Sequence, residues 1–463
     1  MEWLLLSFCA APRANYILRT TPPTMAATYA TDHDENVAQC LERVLNMSSG
    51  GASDVLRQMG LPVRYGGLGL RCSRRASPCA YWASWADSLP ILLARFPRLA
   101  GFFMQHLLQL AAGESVLPPG SALRDLSDAA CQLYNTGFTS LPTWEALFAG
   151  QLPPSQDNLA ADPGERSRGW QFVAADAVER SERDAVLAAA RPGDRARIRS
   201  SAGTGAGRWL TALPTETSLQ LDSAVFRCAV LRRLGLPVAA FRAPCEGCGR
   251  ELDAEGFHRT TCMRTGRVHA RHKVLVTTWR RVFREAGHNI PDRNVERLMC
   301  TTHIRRSADD ARRMDLVTPG LPGVFGGAPL FMDATCVSPL TGEGRPKPRA
   351  AGEDGAAVAE AERKNREEDY PDVEASPHAC LLSLGAETYG RWSPHSQELV
   401  AQLARKKARG VPDLLRRTTE RAYTVRWWSL LAVALPEGGC RVGASRERRG
   451  LDASRGVSGT ALG

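Results

Sequence analysis

No apolar run in this 463-residue chain approaches the roughly 18 residues that a membrane-spanning helix requires, so no membrane span is expected. No internal repeat recurs at a solenoid period. The Gly-rich stretch Leu61-Pro-Val-Arg-Tyr-Gly-Gly-Leu-Gly-Leu70 lacks the Lys-Ser/Thr ending of a phosphate-binding loop and follows no clear strand. It reads as a structural turn. A dense disulfide framework is also missing: the 13 cysteines are mostly far apart, which favours a reducing compartment. The opening Met1-Glu-Trp-Leu-Leu-Leu carries an acid where a secretory leader needs a base, so it reads as a buried helix end rather than a signal peptide. Gly 41 and Pro 29 stand a little above ordinary usage, enough for many loops but short of low complexity.

What is present is ordinary folded-protein composition, 43% hydrophobic and 23% charged, with a net charge of +10. That charge is unevenly spread. From Arg259 to Arg306 there are 12 Lys/Arg and 3 acids, and Ala401–Arg426 adds eight Lys/Arg against two acids. Such concentration suggests a polyanionic partner, although a charge run is often just a solvated face.

Residues 1–240 read as helices separated by Pro/Gly turns, including Asp34–Leu45, Ala80–Arg95, Phe102–Ala111, Trp170–Ala190 and Leu221–Leu236. Residues 241–265 read as a zinc knuckle. Over 266–435, a basic helix with apolar positions Val274, Leu275, Trp279, Val282 and Phe283 precedes short strands at Leu316-Val317, Pro329–Val337 and Ala379–Gly385. Helices at Ala357–Glu368, Ser396–Arg409 and Pro412–Leu435 complete an α+β fold. The Gly/Ser/Arg-rich stretch 436–463 is expected to be disordered.

Two constellations carry chemistry. Cys245-x2-Cys248-x9-His258-x3-Cys262 offers three thiolates and one imidazole, a complete tetrahedral set for a structural Zn²⁺. Gly247 and Gly249 permit the tight turn. His269 or His272 could replace His258, and buried free thiols are the alternative. The second constellation is acidic. Asp315 enters one strand, and Asp333 sits inside Leu330-Phe-Met-Asp-Ala-Thr, where an unpaired carboxylate costs several kcal/mol if buried. Together they could hold Mg²⁺ by oxygen ligands, with Glu296 as a third carboxylate and Lys364 orienting water or stabilising transition-state charge. Equally, Asp315 could cap a turn and Asp333 pair with an arginine. Arg264, Arg267, Arg271, Lys273, Arg280, Arg281 and Arg284 are the candidate phosphate contacts.

In this order, both constellations resemble the C-terminal part of non-LTR retrotransposon polyproteins, where a Cys-Cys-His-Cys knuckle precedes a restriction-like endonuclease of the PD-(D/E)xK type. The likeness covers about residues 10–430. Pro12-Arg-Ala-Asn-Tyr-Ile-Leu-Arg19, the 61–70 stretch and Tyr81-Trp-Ala-Ser-Trp-Ala-Asp87 resemble the reverse transcriptase thumb region. Ala202–Leu210 and Phe226–Leu236 resemble the linker helices. Phe331–Pro339, Gly390-Arg-Trp-Ser393 and Arg426-Trp-Trp-Ser-Leu-Leu431 resemble the nuclease region. The resemblance implies a nuclear protein that binds DNA and element RNA and nicks DNA with Mg²⁺, with structural Zn²⁺ in the knuckle. Asp315 takes the first acidic position, with Met314 in place of the motif's proline. Asp333 takes the second, and Thr335 stands where the lysine would be, so that role passes to Lys364. No Tyr-x-Asp-Asp-like motif is present, so no polymerase activity of its own is expected. A catalytically dead, zinc-containing nucleic-acid-binding remnant is the alternative.

Overall fold

A computed structural model describes residues 2–47, 53–114, 117–118, 120–154, 169–238, 243–288, 290 and 312–455, excepting the side chains of 53 and 437–455. The chain is mostly helical, with one small sheet. It divides into two compact units: Met1–Ala160 with Glu165–Ala189, and Ala161–Gly164 with Ala190–Gly463. The division between these units falls near residue 190, while the sequence reading places a boundary at 240. The physical reason is packing: Ser223–Leu234 and the turn at Arg208–Leu210 lie against the last helix, Asp413–Arg455.

The first unit is all helix. Ser73–Arg95 is its centre, packed by Pro97–Ala111, Ala122–Asn135 and Trp170–Ala189. Trp82 is buried at the hub, edge-on to Phe138 and Trp170 at ring separations of 5.7 and 5.6 Å. The 61–70 stretch is a turn, as its glycines suggest. A Cβ on Gly67 would stand 2.1 Å from the Leu61 carbonyl oxygen, so no larger residue fits. Trp3 and Leu6 are buried at the start of the chain.

The second unit holds the sheet, β1 (Leu316–Thr318), β2 (Leu330–Val337) and β3 (Cys380–Glu387), in that order. β1 and β2 are antiparallel; β2 and β3 are parallel, joined through the helix Ala356–Lys364 and the π turn Asn365–Asp369. The basic helix, Arg267–Glu285, covers the sheet with Leu275, Trp279, Val282 and Phe283. These positions recur at helical spacing, which explains why one face is buried although arginines crowd the sequence. Trp279 meets Trp392 edge-on and Trp392 meets Trp428 at a tilt, with ring separations of 6.2 and 5.5 Å. Pro394–Arg409 and the last helix close the core with Leu399, Leu403, Trp427 and Leu431. Burying this many large apolar side chains, at about 1.5–3 kcal/mol each, holds the unit together. The 436–463 stretch expected to be disordered is helical through Arg455, and 456–463 lie outside the described residues. Its Ala, Arg and Glu favour helix, a preference that outweighs its glycines and Pro436 here.

Candidate zinc knuckle and acidic site

Cys245 and Cys248 flank a tight knuckle. The Cys245 N–H bonds to the Arg250 carbonyl at 2.7 Å, and the Gly249 N–H returns to the Cys245 carbonyl at 2.8 Å. Gly247 is required because a Cβ there would meet the Arg264 backbone at 2.7 Å. His258 and Cys262 flank the rest of the short helix Phe257–Thr261. Asp253, which the sequence pattern did not single out, accepts the Phe257 and His258 N–H groups at 2.6 and 2.7 Å and fixes that helix. An Asp shortly before a one-turn helix is the signal that could have found it.

The four ligand atoms lie within 4.8 Å of one another, the single such His/Cys/Asp/Glu group among the described residues. Cys245 Sγ and Cys262 Sγ are 3.8 Å apart, and Cys248 Sγ and His258 Nε2 are 3.1 Å apart. Two thiolates on one tetrahedral zinc stand about 3.8 Å apart, so the donor set fits that ion. Burial opposes ionisation of Cys245, but the Gly247 and Cys248 N–H groups and the His258 ring outweigh it and bring the thiol down to about 6. Burial pushes the Cys262 thiol up. Of the alternative histidines, His269 is exposed and His272 belongs to the acidic site.

The knuckle is tied to the sheet. Arg271 is buried, donating from Nη1 to the Thr260 carbonyl at 3.1 Å and from Nη2 to the Cys336 carbonyl on β2 at 3.4 Å. Gly344, at φ +76°, lies under the Phe257 ring, where a Cβ would approach within 2.6 Å.

The β1–β2 register pairs Leu316 with Met332; one step further, it sets Asp315 opposite Asp333. Asp315 Oδ2 accepts from His272 Nε2 at 2.9 Å and from the Ala334 N–H at 2.9 Å. Asp333 Oδ2 accepts from Asn365 Nδ2 at 2.9 Å. The Oδ1 atom of each carboxylate has no hydrogen bond among the described residues. Burial, then the Asp315 charge, pushes Asp333 up to about 7. His272 is raised, first by its hydrogen bond to Asp315. Tyr370 is also raised, by burial and then by Asp333 and Asp315, and its hydroxyl donates to the Arg313 carbonyl at 2.7 Å. Two half-buried carboxylates thus face each other, Asp315 engaged by His272 and Asp333 driven toward protonation.

Several expected members stand elsewhere. Lys364 is exposed at the end of its helix and makes no bond to Asp333; the next residue, Asn365, fills that place. Glu296 lies outside the described residues. Asp315 does not merely cap a turn, and Asp333 has no arginine partner among the described residues. The sequence pattern missed His272 and Asn365 in these roles. His272 sits one residue after Arg271 on the face turned to β1, and Asn365 directly follows the candidate lysine.

The seven candidate phosphate contacts separate by environment. Arg271 is internal. Arg281 is held by Glu216 at 2.7 Å and Glu285 at 3.0 Å, and Arg267 by Glu246 at 3.5 Å. Arg280 is half-buried and donates to the Asp315 carbonyl at 3.4 Å. Arg264, Lys273 and Arg284 are exposed. Lys273, Arg280 and Arg284 recur at helical spacing and share one face.

The chain matches no protein-family model, and no curated protein is significantly similar to it. None of its helices is long and apolar enough to cross a membrane among the described residues.

Proposed function

We propose that this chain is a retroelement-derived, nuclear, nucleic-acid-binding protein whose zinc knuckle and basic helix grip DNA or element RNA, and whose Asp315/Asp333 pair nicks DNA with Mg²⁺. The observation that carries the reading is Asp315 standing opposite Asp333 beside the basic helix, with His272 of that helix bonded to Asp315. Asp315 and Asp333 would hold the cation. Bound there, Mg²⁺ would activate water and offset charge on the phosphodiester. His272 and the Ala334 N–H orient Asp315, Asn365 orients Asp333, and Lys273, Arg280 and Arg284 draw the phosphate backbone along the helix toward them. The knuckle's four protein ligands leave no open position, so its zinc would be structural.

Conversion of supercoiled plasmid to open circles with Mg²⁺ tests this reading. The unaltered chain should nick, and Asp333→Ala should lose at least a hundredfold in rate. Undiminished nicking by Asp333→Ala would sink the assignment.

One observation favours a second reading. Asn365, not a lysine, meets Asp333, and Thr335 occupies the motif's lysine position. A binding remnant without chemistry would show salt-sensitive nucleic-acid binding and no Mg²⁺-dependent cleavage.

A further inference from the structure

The second unit carries a basic surface that the proposed site does not use. The helix Pro394–Arg409 turns at Gly410-Val411-Pro412 into the last helix, and Ala401–Arg426 holds eight Lys/Arg against two acids. Three of these cations have acidic partners. Arg405 pairs with Glu398 at 3.2 Å, Arg416 with Asp413 at 2.8 Å, and Arg426 with Glu285 at 2.8 Å. Lys406, Lys407, Arg409, Arg417 and Arg421 have no carboxylate partner among the described residues. Arg409, Arg417 and Arg421 are exposed, and Lys406 and Lys407 are half-buried.

This surface adjoins the basic helix. A groove of about 550 Å³ lies between Glu285, at that helix's C-terminal end, and Thr418, Thr419, Ala422, Tyr423 and Arg426 of the last helix. Lys407 Nζ sits 5.5 Å from the centroid of the Tyr423 ring. His288, just past the basic helix, is held below its ordinary range by burial and then by Lys406 and Lys407. The C-terminal end of the basic helix, at Glu285 and His288, therefore lies beside Lys406, Lys407 and Arg426, though more than a hundred residues apart in sequence.

We propose that Lys406, Lys407, Arg409, Arg417 and Arg421 form a second contact site for the phosphodiester backbone of a nucleic acid, continuous with the basic helix. Charge complementarity and continuity choose the occupant. Lys406, Lys407, Arg409, Arg417 and Arg421 lie outside the groove lining and without carboxylate partners among the described residues, and such a concentration of unpaired cations suits a phosphodiester backbone. Leu414 and Leu415, 90% and 51% exposed, are the two large apolar side chains displayed there, too few to enter a bilayer. The inference rests on the nucleic-acid-binding reading above but not on the chemistry at Asp315 and Asp333.

The test is fluorescence anisotropy of the full chain with a duplex and with a single strand, from about 50 to 200 mM salt. Three proteins are compared: the unaltered chain; Arg264→Ala with Lys273→Ala; and Lys406→Ala, Arg409→Ala, Arg417→Ala and Arg421→Ala combined. The quadruple variant should flatten the duplex salt slope by about 3 to 4, at roughly 0.9 for each phosphate no longer neutralised, and weaken binding at least tenfold at about 0.15 M salt. The single-strand arm, with its slope near roughly 0.7 for each neutralised phosphate, shows which form the groove prefers. An unchanged slope in the quadruple variant, with weakened binding in the double variant, overturns this inference and leaves the basic-helix reading standing. No binding by the unaltered chain overturns both. If the quadruple variant loses affinity for anionic vesicles but keeps nucleic-acid binding, a membrane is the partner and the proposal fails.

Discussion

Arg271 and Lys273 stand two residues apart in one basic run, yet their side chains face opposite environments. Arg271 is buried and joins the knuckle helix to β2 through the Thr260 and Cys336 carbonyls; Lys273 is exposed. Arg271→Met keeps the length and apolar stem but deletes both bonds. A hydrogen bond from a charged group contributes about 1.5–3 kcal/mol, and the 3.4 Å contact belongs at the low end, so the gross loss is about 3–4 kcal/mol. Arg271 Nε is itself buried without a partner, and removing it returns about 1 kcal/mol. The net expectation is destabilisation by about 2–3 kcal/mol, or a melting temperature lower by about 4–12 °C for a unit of this size. Lys273→Met should leave stability within about 0.5 kcal/mol and instead flatten the salt dependence of nucleic-acid binding by about 1. Urea unfolding followed by tryptophan fluorescence, paired with anisotropy, separates the two effects. If Arg271→Met unfolds at the same urea concentration as the unaltered chain but binds DNA more weakly, Arg271 contacts phosphate and the internal bridge is refuted.

Further outcomes follow from the same geometry. Metal analysis should find one zinc per chain, and Cys248→Ser or Cys262→Ser should reduce it to near zero; full retention in both would show that these thiols are not ligands. Asp333 is raised to about 7 by burial and by the Asp315 charge, so its ionised form disfavours the fold. The folded state then holds a proton that the unfolded chain has released between about pH 4 and 7, and metal-free stability falls as pH rises through that window. Asp333→Asn should therefore stabilise the metal-free protein by about 1–3 kcal/mol at pH 8 and little at pH 4, measured by thermal melts at both pH values; equal shifts at both would contradict the burial argument. Gly390 lies at φ +118°, and a Cβ there would stand 2.2 Å from the Ala206 carbonyl oxygen. Gly390→Ala should cost more than about 2 kcal/mol, and a melting curve identical to that of the unaltered chain would show that this approach yields easily.

The sequence alone determined what is local. The Cys-Cys-His-Cys spacing specified a knuckle because four ligands within 18 residues need little help from the rest of the chain. The apolar positions of the basic helix identified its buried face, and short β-branched and apolar runs bounded by Gly and Pro located the three strands. Tertiary structure decided what depends on neighbours. It selected His258 over His269 and His272, because Asp253 anchors one and Asp315 engages the other's ring. It turned Arg271 inward and paired Arg281, which no count of charges can reveal, since an arginine's role follows from the acceptors around it. It grouped the Ser223–Leu234 helix with the second unit, because that helix buries its face against a helix nearly two hundred residues later. And it set Asp315 opposite Asp333 and Asn365 against Asp333, relations fixed by strand register and a helix crossover rather than by spacing.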